Sequence, residues 1–242
     1  MLEQVVRQLA PKGVLRAGLN TANVLLVSGS DPAGEPTGVA PDLARAIAAR
    51  LGVPVSFSRF AKASDVGDAV EADAWDIAFI GAEPARAQTI AFTAAYAEIE
   101  ATYMVPPGSI ITSVAEVDRP GVRVAVGKGS AYDLWLTRHV THAELVRAPS
   151  VAASYIQFVT DRLDALAGLR PGLLDQSATM PGAKVLDGRF TAVQQAVGTA
   201  RAKEAGAAYL SAFVEDAKRS GLVARLIERH GARGLSVGPI IE

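Results

Sequence analysis

The spacing of apolar positions alternates between two periods along most of the chain. Val14-Leu15-Arg16-Ala17-Gly18-Leu19 reads as a first β-strand. Pro41 to Leu51 reads as the first strong helix, with Leu43, Ala44, Ile47 and Leu51 on one face and Gly52 as its stop signal. Val53 to Phe57 is a second strand and Ser64 to Ala72 a further helix. Asp76 to Ile80 is short and apolar, as a buried parallel strand is. Strands and helices at this βαβ spacing predict a parallel sheet with helices on both faces.

Pro106-Pro107-Gly108 is a turn or linker signal, and a second cycle follows it. Val122 to Val126 is a strand, and Gly127-Lys128-Gly129-Ser130 opens a helix to about His139. Glu144 to Arg147 is a short strand, Ser150 caps a helix to Thr160, and Leu163–Ala167 and Lys184–Leu186 are strands. Thr191 to Gly198 reads as a strand leading back. Leu210, Phe213, Val214 and Ala217 then form a helical stripe broken at Gly221, and Leu222, Leu226 and Ile227 suggest a last helix. Ahead of the first strand, Leu2, Val5, Val6 and Leu9 suit a short amphipathic helix.

Two α/β cycles closed by a return strand predict two lobes around a cleft, and 242 residues suffice for two cores. Ligands of open parallel sheets bind beyond the carboxyl ends of the strands, which points to the loops after residues 19, 80, 126 and 167. Composition narrows the function classes. Half of the residues are hydrophobic and 20% charged, too apolar for a disordered chain. No apolar run approaches the ~20 residues of a bilayer span, so no membrane insertion is expected. With 24 basic and 25 acidic residues there is no cationic field, and nucleic acid is not an expected partner. The chain has no cysteine, and only His139 and His142 of its three histidines are close in sequence, so neither a metal nor a cofactor is expected. Glu3, Gln4, Arg7 and Gln8 interrupt the apolar run that a secretory leader needs. The expectation is a cytoplasmic protein as written, or a periplasmic one whose leader has been removed.

Several segments together carry a family resemblance. Leu15-Arg16-Ala17-Gly18-Leu19-Asn20 and Gly38-Val39-Ala40-Pro41-Asp42-Leu43 through Gly52 are the first. Trp75-Asp76-Ile77-Ala78-Phe79-Ile80, Pro84-Ala85-Arg86-Ala87, Ile90 to Tyr96 and Gly127-Lys128-Gly129-Ser130 follow in order. The set, from about Val14 to Gly231, resembles the bacterial solute-binding proteins of family 3, the amino-acid-type binding components of ABC transporters. The resemblance implies a two-lobed type II periplasmic-binding clamshell, each lobe a mostly parallel sheet flanked by helices. Lobe 1 would comprise residues 1–104 and 192–242 and lobe 2 the inserted 105–191, with crossovers near Thr102–Val105 and Thr191–Gln195. It also implies a monomer, with an ABC transporter permease as a partner.

The resemblance makes Arg86 the residue that grips a ligand carboxylate, because a guanidinium fork matches it with two parallel hydrogen bonds. Without the motif, Arg86 reads as an ordinary surface arginine. Gly129, Ser130, Ala131 and Tyr132 open the first helix of lobe 2, where free N–H groups suit an anion; Ser130 is equally a plain N-cap. Asn20 and Asn23 follow the first strand, where many family members carry an aromatic; turn chemistry is the other reading. Gly81 and Ala82 lie in a loop shorter than the family's and without its Ser and Thr, and Glu83 stands close enough to the carboxylate site to repel it. Glu100 falls on the first crossover, as a solvated edge carboxylate or as a partner for Arg86 or a cationic ligand group. Gln194 and Gln195 on the return strand offer amides, one of them facing away. Amino-acid binders place an Asp after the strand equivalent to 164–167; here Gly168-Leu169-Arg170 stands there, and Arg170 would repel an ammonium and attract an anion.

The resulting expectation is a protein without catalysis that binds an amino acid or organic acid between its lobes. The alternative is a cyclohexadienyl-dehydratase-like lyase that uses Glu100 or Glu83 as general acid. A third is a cytosolic sensor, for which no interface is singled out.

Overall fold

The computed structural model describes residues 2–241. The chain divides into two compact units, residues 1–98 with 194–242 and residues 99–193. The sequence reading set these divisions after 104 and 191. In chain order, unit 1 begins with α1 (Leu2–Leu9), β1 (Leu15–Asn20), the β2 (Gly29–Ser30) and β3 (Pro36–Thr37) hairpin, α2 (Val39–Leu51) and β4 (Val55–Phe60). It continues with α3 (Ala63–Asp68), β5 (Ile77–Gly81), a 3₁₀ turn at Arg86–Gln88, and β6 (Ile90–Phe92). Then β7 (Ala97–Val105) leads into unit 2, which holds β8 (Arg123–Gly127), α4 (Ala131–His139), β9 (Glu144–Ala148), α5 (Val151–Thr160), β10 (Ala165–Leu169), α6 (Arg170–Ala178) and β11 (Lys184–Val185). The return strand β12 (Thr191–Ala200) brings the chain back to α7 (Glu204–Arg219), α8 (Leu222–Arg229) and β13 (Leu235–Val237).

In unit 1 the sheet runs β4-β1-β5-β12, with β6 on the far edge of β12. β1 is parallel to both β4 and β5, and β12 is antiparallel to β5. All five residues of β5 are buried, as a central strand covered on both faces requires. The α2 stripe Leu43, Ala44, Ile47 and Leu51 is buried, and Gly52 ends the helix at φ 71°, a left-handed conformation that glycine takes without strain. In unit 2 the order is β7-β10-β8-β9, with β10, β8 and β9 mutually parallel and β7 antiparallel to β10. One face of that sheet buries Val124, Val126, Tyr132, Leu136 and Ala167; Met104, Ala125, Phe158, Leu166 and Leu173 form a separate apolar cluster.

The helix read over Ser64–Ala72 stops at Asp68; turns occupy the residues up to Asp73, which takes φ 49°. The helix α6 was not anticipated: its nine residues include Pro171 and Gly172 and carry almost no amphipathic signal. β6 and β13, three residues each, were also missed, because so short a strand shows no periodicity.

The amino end of β5 is held by a buried charge cluster. Asp76 is 0% exposed. Its carboxylate accepts from the Arg16 backbone N–H (3.1 Å), Arg16 Nε (2.9 Å) and Lys203 Nζ (2.9 Å). Burial pushes the Asp76 carboxyl up, but these donors outweigh burial and hold it below the ordinary carboxylate value. A depressed carboxyl stabilises the fold fully above its unfolded pKa of about 3.9 and loses that contribution as pH falls through the folded value. We therefore expect Asp76→Asn to lose roughly 3 kcal/mol at pH 7, since it strands two buried-side cations. Urea unfolding across pH should show a shallower loss of stability in acid for the variant than for the parent chain.

Candidate functional site

The carboxyl edge of unit 1 is built by three adjacent strands. The β1–β5 register sets Leu19 beside Phe79, so the loops leaving Asn20 and Gly81 emerge side by side. On the other flank of β5, Gln195 pairs with Gly81, and Ala82 N–H donates to Gln194 O at 2.8 Å. Gly81, Ala82, Glu83, Asn20, Asn23, Gln194, Gln195 and Arg86 thus belong to one edge of one sheet.

Arg86 opens the 3₁₀ turn after β5 and is only 8% exposed. Its NH1 donates to Gly81 O at 2.8 Å, which folds the side chain back over the end of the strand. Gly67 of α3 lies against it, where an added Cβ would sit 3.7 Å from Arg86 Nε. Burial lowers the basicity of the guanidinium, and the negative charges of Glu83 and Asp68 oppose that shift. Glu83 is itself 8% exposed. The cation therefore lies neither in bulk water nor alone; it is buried with acids beside it.

The two asparagines divide their roles. Asn20 Oδ1 accepts from Ala22 N–H at 3.2 Å, the turn chemistry expected of it. Asn23 is 8% exposed, and its Oδ1 is buried with no hydrogen-bond partner. Gln194 Nε2 donates to Glu98 Oε1 at 2.8 Å, while Gln195 is buried.

Unit 2 has its own edge. Ser130 caps α4, its Oγ accepting from Asp133 N–H at 3.1 Å. The buried Asp133 returns a carboxylate to the Gly129 N–H at 2.8 Å and is held by Arg147 Nε at 2.9 Å. The Ser130 N–H donates to Gly127 O. Two of the four amides expected to face an anion therefore have internal acceptors. Ala131 and Tyr132 occupy the first two helical positions, where a helix has no acceptor for its own N–H groups. Burial pushes the Tyr132 hydroxyl up to about 12. Asp133 escaped the sequence reading, although the Ser130-x-x-Asp133 spacing is a capping pattern.

Glu100 and Arg170 are brought together. Arg170 Nε donates to Glu100 Oε2 at 2.8 Å, its NH1 to Leu186 O at 3.3 Å, and its NH2 to Gly188 O. Arg189 reaches the other Glu100 oxygen at 3.5 Å. Glu100, with 46% of its side chain exposed, pairs with two arginines of its own unit rather than with Arg86. The Arg170 fork is occupied by a carboxylate and two carbonyls, which gives it a bracing role where the sequence suggested an anion contact. Among the described residues no group of three or more His, Asp or Glu could hold a metal ion.

The model of the bacterial extracellular solute-binding proteins, family 3, matches residues 16–233. The chain belongs to that family. No curated protein sequence matches it. Among solved structures, a mutant of the ArgBP from T. maritima is 19% identical with a TM-score of 0.75, covering 95% of this chain and 100% of that one. A substrate-binding protein of an amino acid ABC transporter from Streptococcus pneumoniae, bound to L-arginine, is 21% identical with a TM-score of 0.74, covering 93% and 97%. An ancestral amino acid-binding protein described as a precursor of cyclohexadienyl dehydratase is 23% identical with a TM-score of 0.72, covering 94% and 98%. At these identities the likeness shows the fold, which is the type II periplasmic-binding architecture. As in the sequence reading, this family 3 protein is built on two α/β units, and no helix among its described residues is long and apolar enough to cross a membrane.

The Arg170 brace makes a direct prediction. Arg170→Ala should free the 186–190 segment, raising its amide hydrogen exchange by roughly tenfold or more while exchange in the β8–β9 core stays slow. Unchanged exchange in that segment would mean that the brace holds nothing.

Proposed function

We propose that the chain binds a small polar solute bearing a carboxylate, an amino acid or organic acid, and delivers it as a monomer to the permease of an ABC transporter outside the cytoplasmic membrane. The observation that carries this reading is the buried Arg86 guanidinium at the carboxyl end of β5, where an open α/β sheet presents its ligand contacts. A guanidinium presents five donors in a fixed fork, and a carboxylate is the anion whose geometry matches it best. The ligand contacts in this reading come from Asn20, Asn23, Gly81, Ala82, Glu83, Arg86, Gln194 and Gln195 of unit 1. Unit 2, taken by itself, offers donors of a similar kind at the helix-opening residues Gly129 to Tyr132, chiefly the amides of Ala131 and Tyr132. The family supports the reading, as do the L-arginine and the lysine bound by two of its structural neighbours.

The chain acts by binding alone. Of the two carboxylates considered as general acids, Glu100 is engaged by two arginines and Glu83 neighbours Arg86. Incubation with prephenate or arogenate should therefore give no product.

Binding should appear as thermal stabilisation. A ligand at a hundredfold excess over its Kd adds about 2.7 kcal/mol, which is a rise in Tm of about 5–10 °C for a chain of this size. Replacing Arg86 by Gln should weaken binding by about 1.5–3 kcal/mol, the worth of hydrogen bonds to a charged group, with the fold intact by circular dichroism. A flat melting point across a broad panel of amino acids and organic acids would count decisively against the proposal.

A further inference from the structure

We propose that Asp187–Gly188 in unit 2 is a modification site, where the chain closes to a succinimide and reopens as isoaspartate, and that the Arg170 brace sets the rate.

The dipeptide is the one Asp-Gly in the sequence, which has no Asn-Gly. It lies in an arch beside β7. Leu186 N–H donates to Tyr103 O (2.9 Å) and Phe190 N–H to Ala101 O (3.1 Å). Between these two bonds the segment advances four residues while β7 advances two. An antiparallel ladder advances equally on both sides, so two surplus residues bulge away from the strand. Asp187, Gly188 and Arg189 form the arch, and all three are exposed.

Both reacting groups are at liberty in it. Among the described residues, the Asp187 carboxylate meets no donor and the Gly188 N–H meets no acceptor. Other aspartates of the chain are tied: Asp76 by Arg16 and Lys203, Asp133 by Arg147 and the Gly129 amide. Gly188 takes φ 74°, and a Cβ added to it would meet nothing within 4 Å. No side chain therefore crowds the approach of the Gly188 nitrogen to the Asp187 side chain.

The chemistry needs water and nothing else. The Gly188 nitrogen attacks Asp187 Cγ; an N–C bond forms, the bond from Cγ to its hydroxyl breaks, and that oxygen leaves as water with the amide proton. Water then adds to one of the two ring carbonyls and the C–N bond there breaks, returning a proton to nitrogen. Opening at the former main-chain carbonyl leaves it as a free carboxylate, and the chain now runs through Cβ and Cγ. No atom is gained or lost overall, and nothing is oxidised or reduced.

The brace opposes the first step. Arg170 donates from NH1 to Leu186 O (3.3 Å) and from NH2 to Gly188 O, while Thr102 Oγ1 donates to Leu186 O at 3.2 Å. Ring closure requires rotation about the Asp187 Cα–C bond, which carries Gly188 and its carbonyl with it. One guanidinium holds the carbonyls on both sides of that bond, so closure waits until the clamp opens. The isoaspartyl chain is one main-chain carbon longer at this point. Gly188 O is then displaced from Arg170, and the modification weakens the contact that delayed it.

The test incubates the full folded chain in neutral buffer at physiological temperature. Isoaspartate is read as methyl acceptance from S-adenosylmethionine with an isoaspartate carboxyl methyltransferase, and its position by peptide fragmentation in the mass spectrometer. Isoaspartate should accumulate at 187 ahead of every other aspartate. Asp187→Glu should abolish it, because the ring would be one atom larger and closes far more slowly. Arg170→Ala should raise the rate roughly three- to tenfold, in step with the opening of the segment. If Arg170→Ala fails to fold, the parent chain unfolded in urea provides the comparison and should react faster than the folded chain by a similar factor. Absence of isoaspartate at 187 in the parent chain would overturn the inference. Equal rates in the folded parent and in Arg170→Ala, or in the folded and unfolded parent, would overturn it as well.

Discussion

A guanidinium removed from water has to be compensated locally, and the carboxyl edge of unit 1 is arranged around that requirement. Arg86 gives one hydrogen bond to the Gly81 carbonyl that ends β5 and draws negative charge from Glu83 and Asp68. Burial of a charge without such partners costs several kcal/mol, so the acids are what allow the arginine to be where it is.

The edge of unit 2 follows the same logic with different parts. The start of α4 attracts negative charge through its unsatisfied N–H groups and helix dipole. Asp133 supplies that charge from within the chain, and Arg147 in turn neutralises Asp133. Arg170 is likewise neutralised by Glu100 and by the carbonyls of the 186–188 segment. At each place where the sequence offers a charge for a ligand, the fold brings an opposite charge to it from the same unit.

This explains what was legible in the sequence and what was not. The strands β1, β5, β8 and β12 and the helices α2, α4, α5 and α7 carry enough apolar residues at the right period to be read directly. The short β6 and β13 and the proline-containing α6 do not. The position of Ser130 could be read because a Ser before a helix marks it, whereas Arg86 was singled out only by the family resemblance of Pro84-Ala85-Arg86. Their partners could not be read. Glu100 and Arg170 are 70 residues apart and Arg147 is 14 from Asp133, so tertiary structure alone brings them together. Glu83 was visible as an acid close to Arg86; that both side chains are buried was not visible.

The loop after β5 shows the same constraint at its smallest scale. The hydroxyl-bearing residues usual to the family's loop are replaced in this chain by Gly81-Ala82-Glu83-Pro84-Ala85. The exchange removes neutral side chains and brings a carboxylate that is 8% exposed onto the same short segment as a guanidinium that is 8% exposed. The negative charge of Glu83 offsets part of what burial costs Arg86, so removing the acid would leave the arginine less compensated at the end of β5.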